Sequence, residues 1–261
     1  MPAQYTHYRF GAQLISRLPA DIRRTCQRFR QLFDVGLHGP DIFFYHNIFV
    51  ADNAVALGRK FHGQTGEEFF TRVCKRLRLE PTEAGRAYLC GVLAHYCLDS
   101  VCHPFIREQT ADGKIGHTEL EKEFDRFLLV LDGKRPPHTF DFSPHMKLTP
   151  GECETVADFY APATPLMVST SVKNMAACTK FLQSPQGIRR NTLKAAIKIT
   201  GQKFSQQVIP RSPNHNCEHL DEPLMALFDQ AFSLYPVLLD QLLAHMDHNE
   251  PLGEEFQKTF G

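Results

Sequence analysis

The sequence predicts an all-α protein on three observations. Apolar residues recur at helical spacing over several long segments, alternating strand patterns are scarce, and the Asp-Gly pairs in "ADGK" and "LDGK" border helical stretches rather than hairpins. The first segment, "AQLISRLPADIRRTCQRFRQLF", carries Leu14, Ile15, Leu18, Ile22, Phe29, Leu32 and Phe33, with Pro19 and Asp21 marking a restart. "GEEFFTRVCKRLRL" (66–79) has its acids early and its bases late, as the helix dipole prefers. The segment 81–103 opens with Thr82-Glu83 and stays apolar until Pro104, where the helix is expected to end. Helices also follow from "HTELEKEFDRFLLVL" (117–131), "NTLKAAIKITGQKF" (191–204) and residues 223–246. Between 133 and 151 a stretch rich in Pro and aromatics reads as a long ordered loop.

Composition narrows the class. The 261 residues are 43% hydrophobic, enough for one packed domain spanning 1–261. Lys plus Arg and Asp plus Glu are both 29, so the balance gives no strong nucleic-acid signal. The first residues lack a secretory pattern, and no apolar run approaches the roughly 20 residues that span a bilayer. Eight cysteines without CxxC pairs read as reduced thiols. A soluble, cytoplasmic protein is the expectation.

One stretch departs from an ordinary core helix. "AHYCLDSVCHPF" (94–105) sets His95, Asp99 and His103 four residues apart on an apolar segment, and His117 with Glu121 repeats the spacing on the next helix. Residues four apart share a helix face, and polar groups on a buried face are costly unless something satisfies them. Two N/O-donor clusters joined by a short connection suit a dinuclear zinc site. Pro104 is expected to put His103 at the helix end, aimed elsewhere. Asp41 follows the Gly39-Pro40 turn signal and is either a loop-borne carboxylate or an N-cap. Phe43, Phe44, Tyr45 and Phe49 beside it are either an aromatic wall for a choline-like head group or ordinary core.

The pattern H-x3-D-x3-H followed by H-x3-E, with "THYRFG", "GLHGPDIFFY" and "FHGQTGEEFF" before it, resembles the zinc-dependent phospholipase C family, whose helical fold is shared with zinc single-strand nucleases. The resembling segments form a metal-binding core over 5–130, and the helical part at 150–261 carries no motif of its own. The resemblance implies that His95, Asp99, Asp41 and His62 bind one zinc and that His103, His117 and Glu121 bind a second. Asp99 would bridge to a third, held partly by His7, making two or three Zn2+ per chain. It implies Asp41 as the residue that orients or deprotonates the attacking water; Phe44 and Tyr45 are the substrate contacts that the aromatic-wall reading offers. His46 competes with His62 for its role. Relatives begin with a Trp whose amine binds zinc. This chain has no Trp, and Pro2, exposed by loss of Met1, is the expected substitute.

No G-x-S-x-G elbow or G-x4-G-K-[ST] loop offers rival chemistry. The expected function is therefore phosphodiester hydrolysis by a metal-bound water, on a phospholipid or a soluble phosphodiester, with peripheral membrane contact if the substrate is a lipid. A single-strand nuclease is the alternative if Arg23, Arg24, Arg28 and Arg30 line the cleft. A non-catalytic metal-binding module is the alternative if the site is plugged. The lysines at 194, 198 and 203 read as a solvated helix face. His215 and His219 read as loop residues, and His138 and His145 as exposed.

Overall fold

The structure is a computed structural model describing residues 4–47, 50, 52–141, 143–182 and 209–261. The helix expected at 191–204, with its lysines, lies outside the described residues, as do Pro2 and Phe49. Among the described residues there is no β-strand, and the helices are α1 (Gln4–Leu14), α2 (Ala20–Arg28), α3 (Arg30–Gly36), α4 (Asn53–His62), α5 (Gly66–Leu79), α6 (Glu83–Gln109), α7 (His117–Leu131), α8 (Pro150–Phe159), α9 (Pro165–Leu182) and α10 (Asp221–His248). A 3-10 segment, Gly39–Tyr45, links α3 to the loop before α4.

Helix α6 is the axis of the molecule. It is buried at nearly every position from Ala87 to His103, and α1, α2, α3, α8 and α10 all pack on it. By length and composition α6 could cross a bilayer, yet 89% of its apolar window is buried inside the fold, as a central core helix requires. Thr82 caps its start by accepting from Gly85 N at 3.0 Å.

The other end overturns one expectation. The helix does not stop before Pro104 but continues through it to Gln109. Proline has no N–H to give the carbonyl four residues back, which is that of Ser100. Lys258 Nζ donates to that carbonyl instead, at 3.2 Å. The freed acceptor is satisfied from the C-terminal segment, and His103 keeps the helical register of His95 and Asp99.

Helix α3 meets α6 backbone to backbone. A Cβ at Gly91 would lie 2.3 Å from the Phe33 carbonyl oxygen, and one at Gly36 would lie 2.7 Å from that of Tyr88. Only glycines allow this approach, and it delivers the Gly39–Tyr45 segment to the middle of α6. Gly39 turns with φ +47°, and a Cβ there would lie 2.5 Å from His95 Cδ2.

The C-terminal segment crosses back over α5 and α6. Gly66 N donates to the Lys258 carbonyl at 2.9 Å, and Thr65 bridges Thr259. The Phe260 ring is buried among Phe69, Phe70, Tyr96 and His95. The strap thus brings Gly261 against the polar face of α6.

Candidate metal centre

Four elements converge on one face of α6. Helix α1 carries His7, the 3-10 segment carries Asp41, α4 ends on His62, α6 presents His95, Asp99 and His103, and α7 opens with His117 and Glu121. All but His62 and His117 are buried. Their donor atoms fall into three triads, each with all atoms within 4.8 Å of one another: His7, His95 and Asp99; Asp41, His62 and His95; His103, His117 and Glu121. His95 belongs to two of them.

The hydrogen bonds around the imidazoles fix which nitrogen faces inward. His62 Nδ1 donates to the Gly58 carbonyl at 2.8 Å, and His95 Nδ1 to the Leu37 carbonyl at 3.2 Å. A carbonyl accepts only from an N–H, so each ring carries a proton on Nδ1 and turns Nε2 to the cluster, the arrangement of a metal-ligating histidine. Against its burial, Asp41 raises the His62 imidazole, as a cation beside that carboxylate would be favoured. His62 Nε2 lies 2.7 Å from Asp41 Oδ1, and His95 Nε2 lies 3.3 Å from Asp99 Oδ2. At the second contact neither atom has a hydrogen-bond partner.

Electrostatics sharpen that contact. Burial pushes the His95 imidazole down to about 4 against the pull of Asp99, so the ring is neutral at pH 7. Asp99 is held well below the usual carboxylate range, its burial outweighed by the neighbouring imidazoles, His103 first among them. A neutral nitrogen lone pair therefore faces an ionised oxygen in a dry site. Two acceptors in that position need a cation between them.

The second cluster is built around one oxygen. Glu121 Oε1 lies 3.2 Å from His103 Nε2 and 3.1 Å from His117 Nε2. Burial opposes ionisation of Glu121, yet the carboxyl is held low, with both histidines hydrogen-bonded to it. His103 moves the other way. Burial works against its proton, but Asp99 and Glu121 together raise it to about 9. Asp99 joins the clusters, with Oδ1 3.1 Å from His7 Nε2 and 3.8 Å from His103 Nε2.

The sequence profile described as zinc-dependent phospholipase C matches residues 6–158, a span that contains every residue of the three triads. The chain belongs to the zinc-dependent phospholipase C family. No curated protein and no solved structure matches the chain. The residues present fit the family's metal: imidazole and carboxylate donors suit zinc, and unpartnered atoms of Asp41, His95 and Asp99 lie within the cluster. Beside His7, Asp99, His103 and Glu121 lies a cavity of about 30 Å³.

In this member of the family the competing histidines separate cleanly. His46 pairs with Asp52 at 2.6 Å, and Asp52 caps α4 by accepting from Ala54 N and Val55 N, so His46 serves that helix start. His62 is the one brought to Asp41. His103, expected to aim away, points into the cluster because α6 continues. His145, expected to be exposed, is buried, stacks on Tyr8 at 4.2 Å and lies 3.2 Å from His38 Nε2. His215 and His219 are exposed, with His215 paired to Glu218.

The two proposed substrate contacts part company. Phe44 is half-buried and leans on His62 with ring centroids 5.1 Å apart. Tyr45 is buried, and its hydroxyl accepts from Gln4 Nε2 at 2.6 Å, a bond within the core. A cleft of about 470 Å³ opens over the cluster, lined by Phe44, Arg59, His62, Gly63, His103, Arg107, His117 and Gly261. Arg59, Arg107 and Gly261 carried no sequence signal. They reach the cleft only through the end of α4, the extension of α6 past Pro104, and the strap.

Proposed function

We propose that this chain is a phospholipase C, hydrolysing a phospholipid phosphodiester to diacylglycerol and a phosphorylated head group. Eight residues, His7, Asp41, His62, His95, Asp99, His103, His117 and Glu121, would hold two or three zinc ions. The observation that carries this reading is the set of three donor triads, tied together by His95 and Asp99, with His62, His103 and His117 opening onto a cleft. Zinc bound there supplies Lewis acidity, polarising the phosphoryl oxygen and making water a competent nucleophile near neutral pH.

The protein's own groups then have separate tasks. Asp41 Oδ2 is the oxygen turned from His62, 4.0 Å from His95 Nε2, and it orients the attacking water and receives its proton. The Leu37 and Gly58 carbonyls hold the ligand imidazoles in register, which keeps the donor atoms preorganised. Phe44 offers the apolar edge for the glycerol side. The P–O bond to glycerol breaks, and the leaving oxygen takes back the proton held at Asp41.

The cleft argues for turnover rather than a sealed metal module. The nuclease reading finds no support in the arginines named for it. Arg24 and Arg28 line a separate groove between α2 and α6, where Arg28 pairs with Glu83 at 2.6 Å, and Arg30 pairs with Asp34. A cytoplasmic setting belongs to this reading, since eight buried, unpaired thiols suit a reducing compartment.

The test is product analysis on phospholipid–detergent mixed micelles with zinc-loaded protein. Diacylglycerol plus phosphorylated head group is expected. Asp41→Asn is expected to lower kcat by about 100-fold or more. Release of phosphatidate, or no release of either product from any phospholipid, would remove the proposal.

A further inference from the structure

Arg59 and Arg107 pose a question that the metal site does not answer. Arg59 stands in the last turn of α4 and Arg107 in the last turn of α6, on the elements that carry His62 and His103. Both are exposed and both line the cleft. Among the described residues neither guanidinium makes an ion pair, a hydrogen bond or a ring contact, and no acidic side chain lines the cleft beside them. Several other arginines are already engaged, and those that are not, such as Arg24 and Arg86, stand away from this cleft. Arg9, Arg28, Arg30, Arg76 and Arg126 each pair with a carboxylate, and Arg72 lies over the Phe61 ring.

A choline-like head group has nothing to hold it here. Recognition of a quaternary ammonium uses several aromatic faces or an acid. Phe43 packs against Tyr160 in the core, and Tyr45 is turned to Gln4, which leaves Phe44, among the described residues, as the one phenyl ring lining the cleft beside the imidazoles of the metal cluster. Two unpaired guanidiniums would also repel the ammonium. An anionic group on the substrate reverses both arguments, because Arg forks bind phosphate and carboxylate oxygens in paired, charge-assisted bonds. The scissile phosphate carries one negative charge, and that charge belongs to the metal cluster below.

We propose that Arg59 and Arg107 select a head group bearing a second anionic group, a phosphomonoester above all, so that the preferred substrate is an anionic rather than a zwitterionic phospholipid. This rests on the phospholipase C reading of the same cleft. Single-stranded nucleic acid, the other polyanion, fits less well. It would need a basic track with stacking rings, and the remaining arginine groove, with Arg24, Arg28 and Arg86, is a different site containing Asp21 and Glu83.

The experiment is calorimetric titration of the zinc-loaded full chain with inositol 1,4-bisphosphate, phosphocholine and an oligothymidylate. It is run on the parent and on Arg59→Gln, Arg107→Gln and the double variant, with zinc content and melting temperature recorded for each. The bisphosphate is expected to bind at least about tenfold tighter than phosphocholine, as one charge-assisted interaction allows. Each single variant narrows that gap and the double variant closes it, with zinc content and melting temperature unchanged. Equal affinities in the parent would overturn the proposal. So would an equal loss on both phosphates, which would assign the arginines to the scissile phosphate, or tighter arginine-dependent binding of the oligothymidylate. Hydrolysis separates the two claims. Bisphosphate selectivity without cleavage of any phospholipid sinks the activity and leaves the selectivity. Cleavage that prefers phosphatidylcholine to a phosphorylated phosphoinositide does the opposite.

Discussion

Gly39 is where local backbone and metal chemistry meet. Its positive φ and the 2.5 Å gap between an added Cβ and His95 Cδ2 leave room for no side chain. Gly39→Ala is expected to displace the ring, lower zinc occupancy and cost about 1–3 kcal/mol of stability, read by metal analysis and denaturant titration. His103 sets a pH dependence. In the metal-free protein its proton is favoured by Asp99 and Glu121, with a folded value of about 9 against roughly 6.5 unfolded. That contribution is complete below pH 6.5 and fades as pH rises towards 9, because deprotonation leaves two buried carboxylates uncompensated. The metal-free protein should therefore lose melting temperature between pH 6.5 and 9. Zinc should abolish that loss, since the metal takes the proton's place and favours the deprotonated ring. The four-residue spacing of His95, Asp99 and His103 was legible in sequence because helix geometry is local. The inward turn of His95 Nε2 was not, because the carbonyl that fixes it comes from Leu37, 58 residues away on another element.

Among the elements, α6 shows what periodicity can and cannot reveal. Its apolar run and its Thr82 cap are local properties, and both were readable. Its passage through Pro104 depends on Lys258, more than 150 residues away in the chain, so no local pattern could announce it. Lys258→Met should leave the Ser100 carbonyl bare and weaken the last turns of α6. The expected cost is about 1–3 kcal/mol, the price of one unsatisfied buried acceptor, with faster hydrogen exchange confined to residues 101–109. The contact of α3 with α6 is as demanding. A methyl at Gly91 would meet the Phe33 carbonyl at 2.3 Å, backbone that cannot swing aside as a side chain does. Gly91→Ala should shift α3, carry Asp41 away from His95 and reduce zinc binding even where the protein still folds. The buried stack of His145 on Tyr8 was missed for a related reason. Prolines and aromatics mark a loop, but they do not say which residues it turns inward.

At the scale of the whole molecule, the matched span and the rest of the chain divide the work. Residues 6–158 contain every proposed ligand, whereas α10 and the strap come from beyond it. One apolar core joins the two, running from Tyr5 to Phe260. The strap ends against the cluster, where a Cβ on Gly261 would meet His103 Nδ1 at 3.2 Å and His62 Cδ2 at 3.3 Å. The cleft and its arginines thus exist only in the assembled fold, and this is why motifs pointed to the metal but not to the head group. Because the cluster ties α1, α4, α6 and α7 together, zinc should act as a global staple, and a chelator should lower the melting temperature of the whole chain in one transition.

The direct test of the central claim is metal analysis of the chain purified without chelator or added metal, beside Asp99→Asn. Two or three zinc ions per parent chain, with fewer in the folded variant, is the predicted result. No bound transition metal in a folded parent would contradict the account and return these histidines and carboxylates to a structural role.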